Sequence, residues 1–392
     1  MVASAFISTS RSSFMRLGIS CWCLATLIAA PLAAQDRAVD VHTAFARAQH
    51  LRHGINASIW FAQHPEDYSA QYTDHETTAE DIATMARLGF DNVRVSIDAV
   101  PLEKAPVGRD GLNDEFMARL DHAVDTILAD GMAVTIDLHP EGAFKQSVRS
   151  SNDGVERAEI LWRHLAAHYS NRNPERLFFE IMNEPEVSDP YRWTGIQARL
   201  AAAIREAAPH HTLIATGPNY SDIVDLLTQH PLADGNVIYA FHFYDPHEFT
   251  HQGATWGLPW WRYEHGIPYP ATDESMQALV QQVPDPADRF RFESYWLDHW
   301  DAHRIRLLID EAAAWGKANN APLICNEFGV YREVAPVSSR LAWLHDVRSA
   351  LEADGIGWAM WDYHNGFGVA VKDKDGKSVV DPETVKALGL EK

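Results

Sequence analysis

The sequence predicts a closed barrel of eight parallel strands alternating with helices, a (β/α)8 fold. Three observations predict it. Eight short apolar runs alternate with segments of helical period between residues 54 and 361. The runs are nearly continuous in apolar residues, as strands covered on both faces must be. No G-x-G-x-x-G or Walker string occurs in the right context, so the competing doubly wound sheet lacks its phosphate turn.

Element by element, Val39 to His53 reads as a leading helix and Gly54 to Trp60 as strand one. Thr77 to Leu88 reads as a helix: Thr77 and Glu80 form a capping box, Ile82, Met85 and Ala86 mark the apolar face, and Gly89 supplies the stop. Strand two is Asn92 to Ile97. Asp114 to Ala129 is helical, with Phe116, Leu120, Ala123 and Ile127 on one stripe and Gly131 after it. Strand three is Ala133 to Leu138, then a helix over Val155 to Tyr169, then strand four, Leu177 to Met182. A helix over Arg192 to Ala208 leads to strand five, Thr212 to Thr216. A short helix over Tyr220 to Leu227 leads to strand six, Val237 to Phe243. One long helix over Trp296 to Asn319 precedes strand seven, Leu323 to Cys325. A helix over Ser339 to Ala353 precedes strand eight, Gly357 to Trp361.

Two regions exceed a minimal barrel. Residues 245–295, after strand six, are too long for an ordinary βα loop and are crowded with aromatic residues, among them Trp256, Trp260 and Trp261. Val369 to Val380 carries Asp375-Gly376 between Val-rich flanks and reads as a hairpin. With no tandem module or internal repeat, residues 35–392 are expected to form one domain.

The chain is 46% hydrophobic and 10% aromatic, which argues against disorder. Its formal net charge is -21, with no long basic patch; that disfavours nucleic acid and is compatible with a neutral polymer. Residues 1–34 read as a secretory signal: Arg11 and Arg16 are basic, Leu17 to Ala34 is apolar, and small residues lie near the end. Met15 is an alternative start, and an uncleaved anchor is the alternative reading. No other stretch is long and apolar enough to span a bilayer. The expected location is therefore the periplasm or the exterior, without stable membrane insertion once the signal is removed. Cys21 and Cys23 fall inside the signal, which leaves Cys325 alone and no internal disulfide. Cys325 reads as a small buried filler, since a catalytic thiolate needs an activating environment.

In such a barrel, chemistry gathers at the C-terminal ends of the strands. Those ends carry Arg94, His139, Asn183-Glu184, His242 with Tyr244, Glu327 and Trp361. Two strings stand out. Asn183-Glu184-Pro185 ends the run Leu177 to Met182, and Asn326-Glu327-Phe328-Gly329 ends Pro322 to Cys325. Paired carboxylates about 5–5.5 Å apart are what a retaining glycosidase needs: one attacks the anomeric carbon, the other protonates the departing oxygen. Strands four and seven lie across the ring from one another, so their termini can face each other. His247, Glu248 and His251 lack a zinc pattern such as H-E-x-x-H, with a structural metal in the loop as the alternative. No G-x-S-x-G elbow anchors a serine hydrolase.

These strings resemble glycoside hydrolase family 5, the cellulase-like members of a wider clan of retaining barrel glycosidases. The resemblance runs roughly from Gly54 to Asn365 and is sharpest at Ile181-Met182-Asn183-Glu184-Pro185. It implies that Glu184 is the acid/base and Glu327 the nucleophile. Repulsion from Glu327 would help Glu184 hold its proton. By the same resemblance Arg94 binds near the nucleophile, and its guanidinium fork suits a carboxylate. Asn183 contacts the sugar 2-hydroxyl, and His139 lines the subsite before the cut bond. His242 and Tyr244 sit beside the nucleophile, with Tyr244 positioning Glu327, and Trp361 is the aromatic floor under the reacting sugar. Trp358 reads as packing. Trp256, Trp260 and Trp261 either stack on sugars or fold the insertion into its own core; Trp60 is a candidate for a remote subsite. The implied activity is that of a retaining endo-β-1,4-glucanase acting on a β-linked oligo- or polysaccharide, without cofactor or metal. Mannan, xyloglucan, mixed-linkage glucan or short glucosides, and exo action, are alternatives within the family. A non-catalytic glycan-binding barrel is the alternative outside it.

Overall fold

The computed structural model describes residues 40–64, 68–283 and 285–390. The predicted signal, residues 1–34, lies outside the described residues. In chain order the elements are α1 (40–48), β1 (His53–Phe61), α2 (Ala70–Glu76), α3 (Ala79–Leu88), β2 (Asn92–Ile97), α4 (Ala99–Leu102), α5 (Asp114–Ala129) and β3 (Ala133–Leu138). There follow α6 (Gly142–Ser150), α7 (Asn152–Tyr169), β4 (Leu177–Glu180), α8 (Pro190–Ala207), β5 (Thr212–Thr216), α9 (Ile223–Leu227) and β6 (Val237–Phe243). The insertion holds α10 (His247–Thr250), α11 (Asp273–Gln282) and α12 (Pro286–Leu297). The chain ends with α13 (Ala302–Asn319), β7 (Leu323–Phe328), α14 (Val337–Ala353), β8 (Gly357–Met360), β9 (Ala370–Lys372), β10 (Ser378–Val380) and α15 (Pro382–Ala387). Strands β1 to β8 close in sequence order into a parallel barrel, and β9 pairs β10 as the expected antiparallel hairpin.

Residues two apart on a strand share a face, and this alternation builds two apolar layers. Leu51, Ala133, Phe178, Ile214, Ile238, Ala240 and Ile324 pack together inside the ring. Val93, Val95, Ile136, Phe179, Leu213 and Cys325 belong to the larger core between sheet and helices. Glu180, two residues beyond Phe178, therefore lies in the barrel interior, as do Arg94 and Asp137 above Asn92 and Ala133. Three indoles tie helices to the strand ends that carry the site. Trp162 Nε1 on α7 donates to Ile181 O (2.9 Å), Trp193 on α8 to Thr216 O (2.8 Å), and Trp343 on α14 to Asp245 O (3.1 Å). Each bonds a carbonyl at or just past a strand terminus, so packing and backbone satisfaction fix these ends together.

One irregularity sets the direction in which Glu327 points. Phe241 on β6 pairs Cys325 on β7, yet the next residue, His242, pairs Glu327. Against β8, Cys325 pairs Trp358 while Phe328 pairs Met360. So β7 carries one extra residue, a bulge at Asn326. Ile324 faces inward, and strict alternation would turn Asn326 inward and Glu327 out toward the helices. The extra residue reverses that order and aims Glu327 at the barrel mouth.

Some boundaries differ from the sequence reading. The capping box is Thr78 with Asp81, one residue later than Thr77 with Glu80: Asp81 N donates to Thr78 Oγ1, and Thr78 N donates to Asp81 Oδ2 (2.9 Å). The expected helix over Trp296 to Asn319 is two helices. It breaks at residues 298–301, where His299 has φ 51° and Asp301 caps α13. Strand four ends at Glu180, not Met182, and strand seven runs on to Phe328.

Candidate active site

Arg94 is the hub of the site. All five of its N–H donors are used. Nε and Nη2 fork onto Glu180 Oε2 and Oε1 (both 2.7 Å), Nη1 donates to Asn56 Oδ1 (2.9 Å) and Glu327 Oε1 (2.6 Å), and Nη2 also donates to Asn183 Oδ1 (2.9 Å). Asp137 Oδ2 lies 3.0 Å from Nη2. Burial disfavours the guanidinium charge, but Asp137, Glu180 and Glu327 outweigh it and hold Arg94 firmly protonated. Burial in turn pushes the Glu180 and Asp137 carboxyls up, against the pull of Arg94.

Asn183 is set by a closed ring of bonds. Its Oδ1 accepts from Arg94, and its Nδ2 donates to His139 Nε2 (3.1 Å). His139 Nδ1 donates to Asp137 Oδ2 (2.8 Å), which returns to Arg94. Burial, with Arg94 nearby, drives the His139 pKa down to about 4, so the ring is neutral and its Nε2 is an acceptor. Asn183 also lines the cleft.

Glu327 is gripped at both oxygens. Oε1 takes Arg94, Oε2 takes the Tyr244 hydroxyl (3.1 Å), and His242 Nδ1 lies 3.5 Å from Oε2. Glu184 receives His242 Nδ1 at 3.0 Å. The side chain of Glu184 is 27% exposed and that of Glu327 5%. One carboxylate oxygen of each, together with a His242 ring nitrogen, fall within 4.8 Å of one another. Glu184 has φ 37°, a left-handed backbone that is uncommon for a residue with a side chain and that turns the chain sharply off β4. Burial raises the Glu184 carboxyl, but the hydrogen bond and charge of His242 win and hold it down at about 2. His242 moves the other way: burial lowers it, while Glu327 and Glu184 raise it above the ordinary imidazole value. The pair thus shares one proton, resting on His242.

A cleft of about 1780 Å³ opens over these groups. Trp361 lines it, stacked on His139 with ring centroids 5.9 Å apart. Its carbonyl lies 2.3 Å from where a side chain on Gly329 would begin, which is why a glycine follows Asn326-Glu327-Phe328. Trp256 and Trp261 also line the cleft, with different surroundings. Trp256 is 48% exposed and meets Tyr331 edge-on at 4.9 Å. Trp261 is buried against His247, parallel at 5.7 Å, and His251 at 4.6 Å, which also stack on each other at 5.1 Å. Trp358 is fully buried and Cys325 is a buried thiol, both as expected. Among the described residues, the acid and histidine side chains close enough to share an ion are Glu184, His242 and Glu327, not the His247, Glu248 and His251 group.

Two residues named from the sequence lie away from the cleft. Trp60 is buried against α2, with Nε1 donating to Thr73 O (2.8 Å), because the β1 register shifts between Ala57 and Phe61 and alternation does not carry through. Trp260 does not line the cleft; it lies under the guanidinium of Arg291, which does (4.9 Å). The sequence reading also missed Asp137, Glu180 and Asn56, which hold Arg94. A signal for two of them was present: an acid inside Ile136-Asp137-Leu138 and inside Phe179-Glu180-Ile181 needs a buried cation.

A family model described as cellulase (glycosyl hydrolase family 5) matches residues 55–366. The chain belongs to glycosyl hydrolase family 5. Its relatives within the family bear this out. Endoglucanase C of Acetivibrio thermocellus is 28% identical over 316 residues, covering 79% of this chain and 90% of that protein. A mutant form of Thermotoga maritima Cel5A in complex with cellobiose superposes with a TM-score of 0.69 at 25% identity, over 88% of this chain and 98% of that one. The same Thermotoga enzyme in complex with mannotriose gives 0.68 at 25% identity, over 88% and 99%. The family 5 chain is thus a glycoside hydrolase on a (β/α)8 barrel.

Proposed function

We propose that the chain is a retaining endo-β-1,4-glucanase that works by covalent double displacement. The observation that carries this reading is the Glu184–His242–Glu327 cluster, with reacting atoms within 4.8 Å at the mouth of the closed barrel. That spacing suits two carboxylates sharing one anomeric centre and is shorter than the roughly 6.5–9.5 Å of an inverting pair. A Glu327 oxygen attacks C1, held in line by Arg94 and Tyr244. The proton on His242 Nδ1 crosses the 3.0 Å bond to Glu184, which delivers it to the leaving oxygen. A glycosyl ester forms on Glu327. Water then enters where the leaving sugar was; Glu184 removes its proton, and attack on C1 restores the β configuration. Asn183 is placed for the sugar 2-hydroxyl, and Trp361 for the sugar's apolar face.

The size and charge of the cleft support a neutral polymer. Its volume, about 1780 Å³, exceeds the roughly 300–1,000 Å³ of a drug-sized pocket. Ten acidic side chains line it, against Arg291 and Lys372, which disfavours uronate chains and nucleic acid alike. The relatives that support cellulose are named endoglucanases, and the mannotriose complex of the Thermotoga enzyme makes mannan the first alternative to assay. Among the described residues no helix is long and apolar enough to cross a membrane. With residues 1–34 read as a signal, export to the periplasm or beyond is part of the proposal, as is one catalytic domain over residues 35–392.

The test is a hydrolysis panel of soluble cellulose, mannan, xyloglucan and aryl glucosides. Internal cuts, seen as viscosity falling faster than reducing ends appear, are expected on cellulose; release of terminal glucose alone would overturn endo action. Glu184→Gln should lose about 10²–10⁴-fold on cellulose but far less on dinitrophenyl cellobioside, whose leaving group needs no proton. Equal losses on both would remove Glu184 from the acid role.

A further inference from the structure

Lys145, on α6, takes no part in the double displacement, yet it is only 8% exposed. A lysine buried to that degree is ordinarily paired. Its partner is Glu186. Lys145 Nζ lies 3.2 Å from Glu186 Oε1, and Arg149 Nη1, one turn further along the same face of α6, donates to Glu186 Oε2 at 3.3 Å. Glu186 stands two residues after Glu184, so the two cations grip the loop that carries the acid/base. Lys145, Arg149 and Glu186 are not among the residues that line the cleft. Whatever they contribute to the reaction passes through Glu184.

That loop needs a grip. Glu184 has φ 37° and Glu186 φ 54°, two left-handed positions at residues with side chains, on either side of Pro185, which has no N–H to bond. Such a turn persists only where its surroundings over-determine it. Before the turn, Asn183 N donates to Leu138 O (2.9 Å); at its far end, Glu186 N donates to Asn219 O (2.8 Å) in the loop after β5. Backbone bonds thus pin both ends, and Lys145 and Arg149 pin the side chain at the far one. The helix that supplies these cations is itself firmly seated. Phe144 and Val148 are buried, and a Cβ on Gly154 of α7 would lie 2.2 Å from Ser147 O, so α6 and α7 meet backbone to backbone. Arg192 Nε of α8 donates to Arg149 O (2.9 Å). Lys145 is also near enough to the acid/base for its charge to act there, after burial and the His242 bond and charge.

We propose that Glu186, clamped by Lys145 and Arg149, is a positioning residue for the acid/base: it holds the turn over residues 184–186 so that the Glu184 carboxyl meets the leaving oxygen. This rests on the acid role given to Glu184. A displaced acid fails only where the leaving group needs a proton, so the loss grows with the basicity of the leaving group.

The test is kcat/KM on a series of aryl β-cellobiosides, from dinitrophenyl to unsubstituted phenyl, for wild type, Glu186→Ala, Lys145→Met and the double variant. This ratio reports the first displacement, in which Glu184 is the acid. Each single variant should lose about tenfold on the phenyl substrate and less than about twofold on the dinitrophenyl one. The double variant should lose no more than the worse single, because the two side chains act as one contact. A merely structural role would lower the whole series by one factor, and that result in either folded single variant would overturn the proposal; so would losses that multiply in the double variant. Should Glu186→Ala not fold, Lys145→Met, which keeps the unbranched apolar stem, reads the same dependence. If Glu184→Gln itself loses equally on good and poor leaving groups, the acid role falls and this proposal with it. A leaving-group-dependent loss in Glu184→Gln beside uniform losses in the Glu186 and Lys145 variants removes this proposal alone.

Discussion

At the scale of residues, the site works by division of charge. Arg94 faces three carboxylates, but only Glu327 reaches the cleft; Glu180 and Asp137 hold the guanidinium from behind. On the other side, in the proposed mechanism, His242 carries the proton that Glu184 delivers. This arrangement predicts a specific pH signature. The shared proton leaves only above the ordinary imidazole range, since the net effect of Glu327 and Glu184 is to raise His242. The basic limb of kcat/KM in the wild type should therefore lie above about 6.5. In His242→Gln, Glu184 must hold the proton alone, with burial raising its carboxyl and the Lys145 charge still lowering it. The basic limb should then fall by about one unit or more toward the carboxylate range. A pH–rate series on cellotetraose checks this, and an unmoved limb would refute the shared proton. Much of this cluster was legible in the sequence, because Asn183-Glu184-Pro185 and Asn326-Glu327-Phe328-Gly329 each end an apolar run. The supporting acids were not read, because Asp137 and Glu180 sit within apolar strands, and only the inward parity shared with Arg94 shows why a charge is tolerated there.

At the scale of elements, the insertion after β6 is folded on its own aromatic residues. Trp261 packs against the stacked rings of His247 and His251, and Gly257 turns the chain at φ 71° directly against its ring: an added Cβ would lie 2.2 Å from Trp261 Cζ3. Gly257→Ala meets both a left-handed backbone and a ring that cannot retreat, at a cost of about 1–3 kcal/mol. We expect faster limited proteolysis within residues 245–300 and a loss of kcat/KM on long cellodextrins that exceeds the loss on aryl glucoside, with the barrel's far-UV spectrum unchanged. Wild-type protease resistance in this variant would contradict the packing described. The eight strands and the main helices between them were readable from period and caps. The helices α2, α6, α11 and α12 were not, since their sequences lack a clean apolar stripe and tertiary contact decides the outcome. The break at residues 298–301 was hidden because both flanks have helical composition.

At the scale of the whole molecule, two opposed sets of carboxyls shape stability. Against burial, Glu352 is held down at about 2 by His53, Arg348 and the Trp358 indole. Glu76, Asp81 and Asp381 are likewise lowered by their hydrogen bonds and neighbours despite burial. Their contribution is present above the unfolded carboxyl pKa, about 4, and is lost as pH falls through the lower folded values. Burial raises Asp225 to about 6 and Glu264 and Asp362 to about 7. Their contribution is complete below about 4 and is lost as pH climbs through 6 to 7. A formal charge of -21 at neutrality adds self-repulsion in the same direction. The melting temperature should accordingly peak near about pH 5 and decline on both sides. Scanning calorimetry from pH 3 to 8 checks this, and a melting temperature that rises steadily from pH 5 to 8 would contradict it.

The extra residue in β7 carries a lesson for anyone mutating or comparing this chain. The aim of the Glu327 carboxylate is written in the register of β7 against its two neighbours, not in the letter at position 327. A relative that keeps every hallmark letter and the same three steps from Ile324 to the glutamate, but pairs this strand in unbroken register with its neighbours, would point that acid into the greasy shell behind the wall, and a motif search would pass it as intact.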